Sequence, residues 1–157
     1  MAFRFRGLPL NGFHKFIGAA EPVLAQHGVR RLVADSKPGY PCRVTLEDAE
    51  PGETLLLLSY PHLAVGSPYD ASGPIFLREE ARKTFDRTDA VPPVLRGRYL
   101  SLRAYDADGI MVDADTVDGD AVEGLVERLF SRDVVDFVHI HNARRGCFSC
   151  RVEREEG

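Results

Sequence analysis

Apolar and polar residues alternate with a period of two over many stretches of this chain, and the spacing lengthens clearly to a helical one in two places and weakly in a third. Residues 3–6 alternate Phe with Arg and read as a short edge strand. Residues 29–35 read as a second strand, leaving through the turn Ser36-Lys37-Pro38-Gly39. Cys42, Val44 and Leu46 then alternate with Arg43 and Thr45, which in a strand puts the first three on one face and the last two on the other. A Pro-Gly turn over residues 48–53 leads into the strongly apolar residues 54–60, a strand for the middle of a sheet. Residues 66–74, with two Pro, two Gly and two Ser, read as an irregular loop, and residues 75–77 as a short strand. Residues 78–86 are weakly helical, and Pro92-Pro93 stops any helix there.

The second half repeats the pattern more regularly. Residues 98–105 and 110–117 pair as a hairpin around Asp108-Gly109, and residues 134–142 and 147–153 are two further strands around the turn 143–146. Helical spacing appears in Phe13, Phe16, Ile17, Val23 and Leu24, with Asn11 as a cap, Gly28 as a stop, and Pro22 forcing a kink or two short helices. It returns in Val122, Leu125, Val126, Leu129 and Phe130 behind the N-cap Asp118. These elements predict one α+β domain over residues 1–157, a largely antiparallel or mixed sheet with helices packed on one face.

Composition narrows the partners. A chain of 157 residues, 44% apolar and 28% charged, suits an ordinary globular core. A formal charge of -4 lacks the basic footprint expected for nucleic acid. The start MAFRFRGLPL has no apolar core for a signal peptide, and the longest aliphatic run, residues 55–58, is too short to cross a bilayer. Three cysteines without an export signal fit reduced thiols, so a cytoplasmic location is expected.

The stretches YPCRVTLEDAEPGE, LLLLSYPH, SPYDASGPIFLRE and HIHNARRGCF resemble an uncharacterised bacterial family known only as a domain of unknown function, the one labelled 1203. The resemblance covers most of the chain and implies an intracellular single-domain protein with no assigned activity, substrate or cofactor.

No catalytic motif stands out. Cys147 and Cys150 have a C-x-x-C spacing, but on a regular strand they point to opposite faces, with Phe148, Cys150 and Val152 toward the core. His139 and His141 share a strand face and can both ligate one metal, yet no third ligand is fixed by the sequence, so neither a metal nor a cofactor is expected. The seven carboxylates of residues 106–123 lack the spacing of a calcium loop. Cys42, Cys147, Ser67 and Ser72 are candidate nucleophiles for a thiol- or histidine-dependent hydrolase or transferase, with no G-x-S-x-G elbow among them.

What the alternation does single out is a polar sheet face. Arg43, Arg103, Tyr105, His139 and His141 fall opposite the apolar side of their strands, and the loop residues Ser67, Tyr69 and Ser72 are placed to close over them. Arginine is suited to bidentate recognition of carboxylate or phosphate, so the leading expectation is an anionic small molecule or peptide bound on a solvated face. The alternatives are the enzyme above and a non-catalytic module, including a homodimer through a sheet edge.

Overall fold

The computed structural model describes residues 2–155. In chain order the strands are β1 (Phe3–Arg6), β2 (Arg30–Val33), β3 (Thr54–Leu63), β4 (Ala71–Arg78), β5 (Asp86–Thr88), β6 (Tyr99–Tyr105), β7 (Met111–Asp118), β8 (Phe137–Asn142) and β9 (Phe148–Arg154). The α-helices are α1 (Glu21–Gln26) and α2 (Val122–Phe130). The strands form two antiparallel sheets, one of six strands in the order β5-β1-β9-β8-β6-β7 and one of three in the order β2-β3-β4. No described helix is long and apolar enough to cross a membrane.

The predicted hairpin and the second helix are both present. β6 and β7 pair from Tyr99 opposite Asp118 to Tyr105 opposite Met111. Asp118 accepts a hydrogen bond from the Asp120 backbone at 3.0 Å, capping a short 3-10 turn that runs into α2. Val122, Leu125, Val126, Leu129 and Phe130 of α2 are buried in one cluster with Phe3, Phe5, Leu100, Leu102, Ala104, Val138, Ile140, Cys150 and Val152. Each such large side chain removed from water contributes about 1.5–3 kcal/mol, so this face of the six-stranded sheet carries a large share of the folding energy.

The architecture departs from the expected single sheet. The opposite face of the six-stranded sheet is not solvated, because β3 and β4 supply a second apolar cluster, Leu56, Leu58, Ile75 and Leu77, that includes Phe148 of β9. The N-terminal helical residues reduce to a 3-10 turn, Leu10–Phe13, and the six-residue α1 with Pro22 in its first turn. Their Phe13, Phe16 and Leu24 join this second cluster, so the expected layer of helices on one face is a single nine-residue helix.

Three local expectations are also corrected. Residues 40–46 are not a strand. The Leu46 backbone donates to Cys42 O at 3.0 Å, and Leu46 takes φ 54°, so the chain coils instead of extending. Asp48, gripped by Arg98 at 2.7 and 3.0 Å, holds the end of this coil. Cys42 and Val44 are buried in the second cluster and Leu46 in the first, so the alternation signals burial here without strand geometry. Residues 71–74, expected as loop, lie in β4, where Pro74 sits opposite Ser59. Residues 78–86 form no helix, and the chain passes through a turn into β5.

Candidate functional site

On β8, His139 and His141 alternate with the core residues Val138 and Ile140, as expected, but the face they occupy is covered. They are 2% and 1% exposed. The cover is the end of β3. A register shift between Tyr60 and Leu63, a β-bulge, brings both His62 and Leu63 toward the first sheet: Leu63 packs with Tyr105 and Phe137, and the His62 ring stacks on Phe148 at 5.2 Å. His62, His139 and His141 each place a ring nitrogen within 4.8 Å of the other two. Among the described residues no Cys, Asp or Glu joins this group.

Two further bulges border the cluster. One on β9, between the pairs Ile140–Cys150 and His141–Phe148, turns Phe148 to the histidine side while Cys150 stays with Ile140 in the other core. The expected common face for Phe148, Cys150 and Val152 is thereby corrected. The other, on β7, lies beside Tyr105. Phe148 stands 4.9 Å from the His139 ring and Tyr105 5.6 Å from it, so the imidazoles sit in an aromatic frame.

The hydrogen bonding of these rings is incomplete. His62 Nδ1, His139 Nδ1 and His141 Nε2 are buried without a protein hydrogen-bond partner among the described residues, as is Asn142 Oδ1. His141 Nδ1 lies 2.9 Å from Gly146 O. A carbonyl oxygen can only accept, so the neutral ring carries its proton on Nδ1 and leaves Nε2 as a bare lone pair. Burial, with Arg151 and the neighbouring imidazoles and Arg103 adding to it, pushes His139 down to about 2. Burial is also the main reason His141 falls to about 4, against a smaller upward pull from its bond to Gly146. Burial, and after it Arg103, lowers His62 as well. At neutral pH His139 and His141 are therefore uncharged bases.

The remaining candidates divide into those the structure gathers and those it does not. Arg103 is directly opposite His139 in the β6–β8 register and shares its face, as Ser101 does with His141 and Tyr105 with Phe137. Tyr69 reaches this neighbourhood, its ring 6.2 Å from Tyr105. The loop carrying it is tied by Asp70, which accepts from the backbones of Val65 at 2.9 Å and Gly66 at 2.8 Å. Ser67 steadies the same loop, its hydroxyl accepting from the Tyr69 backbone at 3.1 Å. The loop also packs on the β6–β7 turn at Gly109, where a Cβ would stand 2.3 Å from Val65. Ser72 lies exposed on β4.

Arg43 is the plainest correction. It is 2% exposed and does not face solvent with Arg103. Its guanidinium donates to Phe148 O at 2.7 Å, to Pro41 O and to Cys147 Sγ at 3.1 Å, tying the coiled segment to the start of β9. Cys147 is half-buried, held by Arg43 and, at 3.5 Å, by Asn142, with no imidazole bonded to it. Cys42 and Cys150 are fully buried. Asp113 and Asp115 pair with Arg128 and Arg132, leaving Arg103 to the histidine face.

His62 is the residue that sequence reasoning missed. Its signal was faint: a histidine continuing the even-numbered series Leu56, Leu58 and Tyr60 of β3, past the point where a strand was expected to end. Two open surface hollows of about 300 and 490 Å³ are lined by none of these side chains.

Residues 39–154 match the family described as "Protein of unknown function (DUF1203)", and the chain belongs to that family. The matched stretch contains all three clustered imidazoles, Arg43 and Arg103. No curated protein and no solved structure matches the chain.

Proposed function

We propose that this member of the DUF1203 family binds one divalent transition-metal ion through His62, His139 and His141. The observation that carries this is the convergence of three ring nitrogens within 4.8 Å, on rings that each bury a nitrogen with no protein partner among the described residues. Orphaned buried polar atoms are costly, about 1–3 kcal/mol each, and three on adjoining rings favour a common ligand. The choice between cation and anion follows from the His141 tautomer. A bare Nε2 lone pair repels an anion and ligates a cation, and a ligating histidine whose other N–H donates to a backbone carbonyl is the usual arrangement at metal centres.

Imidazole donors suit zinc, copper, nickel or cobalt and do not suit calcium or magnesium. Three protein ligands with no fourth side chain among the described residues leave one coordination position to a water or a substrate, the pattern of catalytic zinc sites, whereas structural sites are closed by four. This reading replaces the expectation of a metal-free polar face. In the test, protein stripped by a chelator is reloaded with zinc or cobalt, and bound metal is counted by elemental analysis. About one ion per chain is expected, with loss of uptake in His62→Ala and His141→Ala variants. Folded wild-type protein that retains no stoichiometric ion overturns the reading.

A further inference from the structure

The charges around the three imidazoles are unbalanced toward positive. Neutral ligands leave a divalent ion its full charge, and among the described residues the cluster contains no carboxylate or thiolate to offset it. The neighbouring side chains add positive charge. His139 has an arginine directly opposite it on each side, Arg103 across β6 and Arg151 across β9. The two differ in one respect. Arg151 is paired with Glu153 at 3.2 Å and lies 4.1 Å from the Phe137 ring. Arg103 has no carboxylate partner among the described residues, and its one side-chain hydrogen bond is a 3.5 Å contact to Ser101 Oγ. A half-buried guanidinium with nearly all its donors free, beside a centre with an open position, is a site with one component missing. That component must be negatively charged, and it must accept hydrogen bonds from a planar fork.

Resting on the metal reading above, we infer that the open position takes a small oxyanion, a carboxylate or a phosphate, with one oxygen on the metal and another on the Arg103 guanidinium. Such a ligand neutralises an excess of positive charge that otherwise weakens metal binding, so anion and metal reinforce one another. The approach runs past His62, which is only half-buried, and the exposed Tyr69, whose ring meets Tyr105 at the mouth. Phe148, Tyr105 and Phe137 frame the His139 ring at 4.9 to 5.6 Å.

Cobalt serves as metal and reporter together, because its visible spectrum changes when a coordinating water is replaced. Cobalt-loaded protein is titrated separately with acetate and with inorganic phosphate. A saturable spectral change with acetate, with phosphate or with both is expected, and which of them acts fixes the class of oxyanion. Arg103→Ala weakens that binding by roughly ten-fold or more, the scale of a charge-assisted hydrogen bond. The same variant binds cobalt at least as tightly as wild type in anion-free buffer, since a like charge has been removed. Arg103→Gln, uncharged and close in size, gives the same two readouts where the alanine variant folds poorly. No spectral response to either anion, or an equal response in wild type and variants, overturns the inference and leaves the metal centre standing. Failure to take up cobalt at all overturns the metal reading, and this inference falls with it.

Discussion

The two faces of the six-stranded sheet are built by alternation along the same strands, yet they are stabilised in opposite ways. Toward α2, Leu100, Leu102, Val138 and Ile140 meet the apolar stripe of a helix in a closed cluster. On the other face, Ser101, Arg103, His139 and His141 stand opposite one another, and β3 covers them with another histidine. The first face gains from every residue it buries. Among the described residues, the second buries three imidazole nitrogens without partners and sets beside them a guanidinium with no carboxylate, an arrangement that costs stability while those groups stay unmet. One sheet thus serves as core on one side and carries the proposed site on the other, and the rigidity of the first holds the geometry of the second.

The contrast is tested most severely on the α2 face. Phe130 is 1% exposed and stacks on Phe3 at 5.2 Å. Phe130→Ala is expected to reduce unfolding free energy by about 3–5 kcal/mol in urea titration, with or without added metal. A loss below about 1 kcal/mol would mean that this face is not the main source of stability.

Acid distinguishes the faces by a somewhat smaller amount. In chelator-treated protein, His139 and His141 stay neutral in the native state down to about 2 and about 4, while the unfolded chain takes up protons near 6.5. The folded values are depressed, so stability is full above the unfolded value and is lost as pH falls below it. Each imidazole contributes a slope of about 1.4 kcal/mol per pH unit in that window. Between pH 6 and 5, where the unfolded imidazoles go from about three-quarters to nearly fully protonated, the two together should lower stability by about 2.4 kcal/mol, measured by denaturant titration at each pH. The α2 face contributes nothing to this slope, so Phe130→Ala should shift the whole curve without changing its steepness. A flat profile would show the imidazoles to be solvated.

Much of the fold was legible because alternation and turn chemistry are local. The β6–β7 hairpin, α2 with its Asp118 cap, and the shared face of His139 and His141 all follow from residues adjacent in sequence. What was not legible is non-local. That β3 would cover the histidine face depends on pairing between segments far apart in the chain, and a solvated face and a covered one have the same alternation. The bulges at His62, Phe148 and Tyr105 each change which side chain points where, because an inserted residue shifts the phase of a period-two pattern, and the alternation read from short segments does not say where that shift falls. Arg43 was misplaced for a related reason: its neighbours Cys42 and Val44 are buried as a strand would bury them, but in a coil that turns the guanidinium inward to carbonyls.

The smallest expected effect is the most pointed, because its sign depends on what the site contains. His139 is surrounded by the rings of Phe148, Phe137 and Tyr105 at 4.9 to 5.6 Å, and its Nδ1 has no partner among the described residues. Replacing it with leucine removes an unsatisfied polar atom and puts a compact apolar side chain in the same aromatic frame. Relief of the unpaired nitrogen, about 1–3 kcal/mol, is partly offset by imperfect filling of the space an imidazole leaves. In chelator the His139→Leu variant should therefore be more stable than wild type by about 1 kcal/mol, the reverse of what truncation does on the α2 face. Adding zinc should invert the order. Wild type gains about 2.7 kcal/mol when free metal is about a hundred-fold above its dissociation constant, and the variant, lacking one of three ligands, gains far less. Paired thermal melts with chelator and with zinc read both signs. If the variant is the weaker protein in chelator by the amount expected of a core truncation, His139 is an ordinary satisfied core residue, and both faces of the sheet are stabilised in the same way.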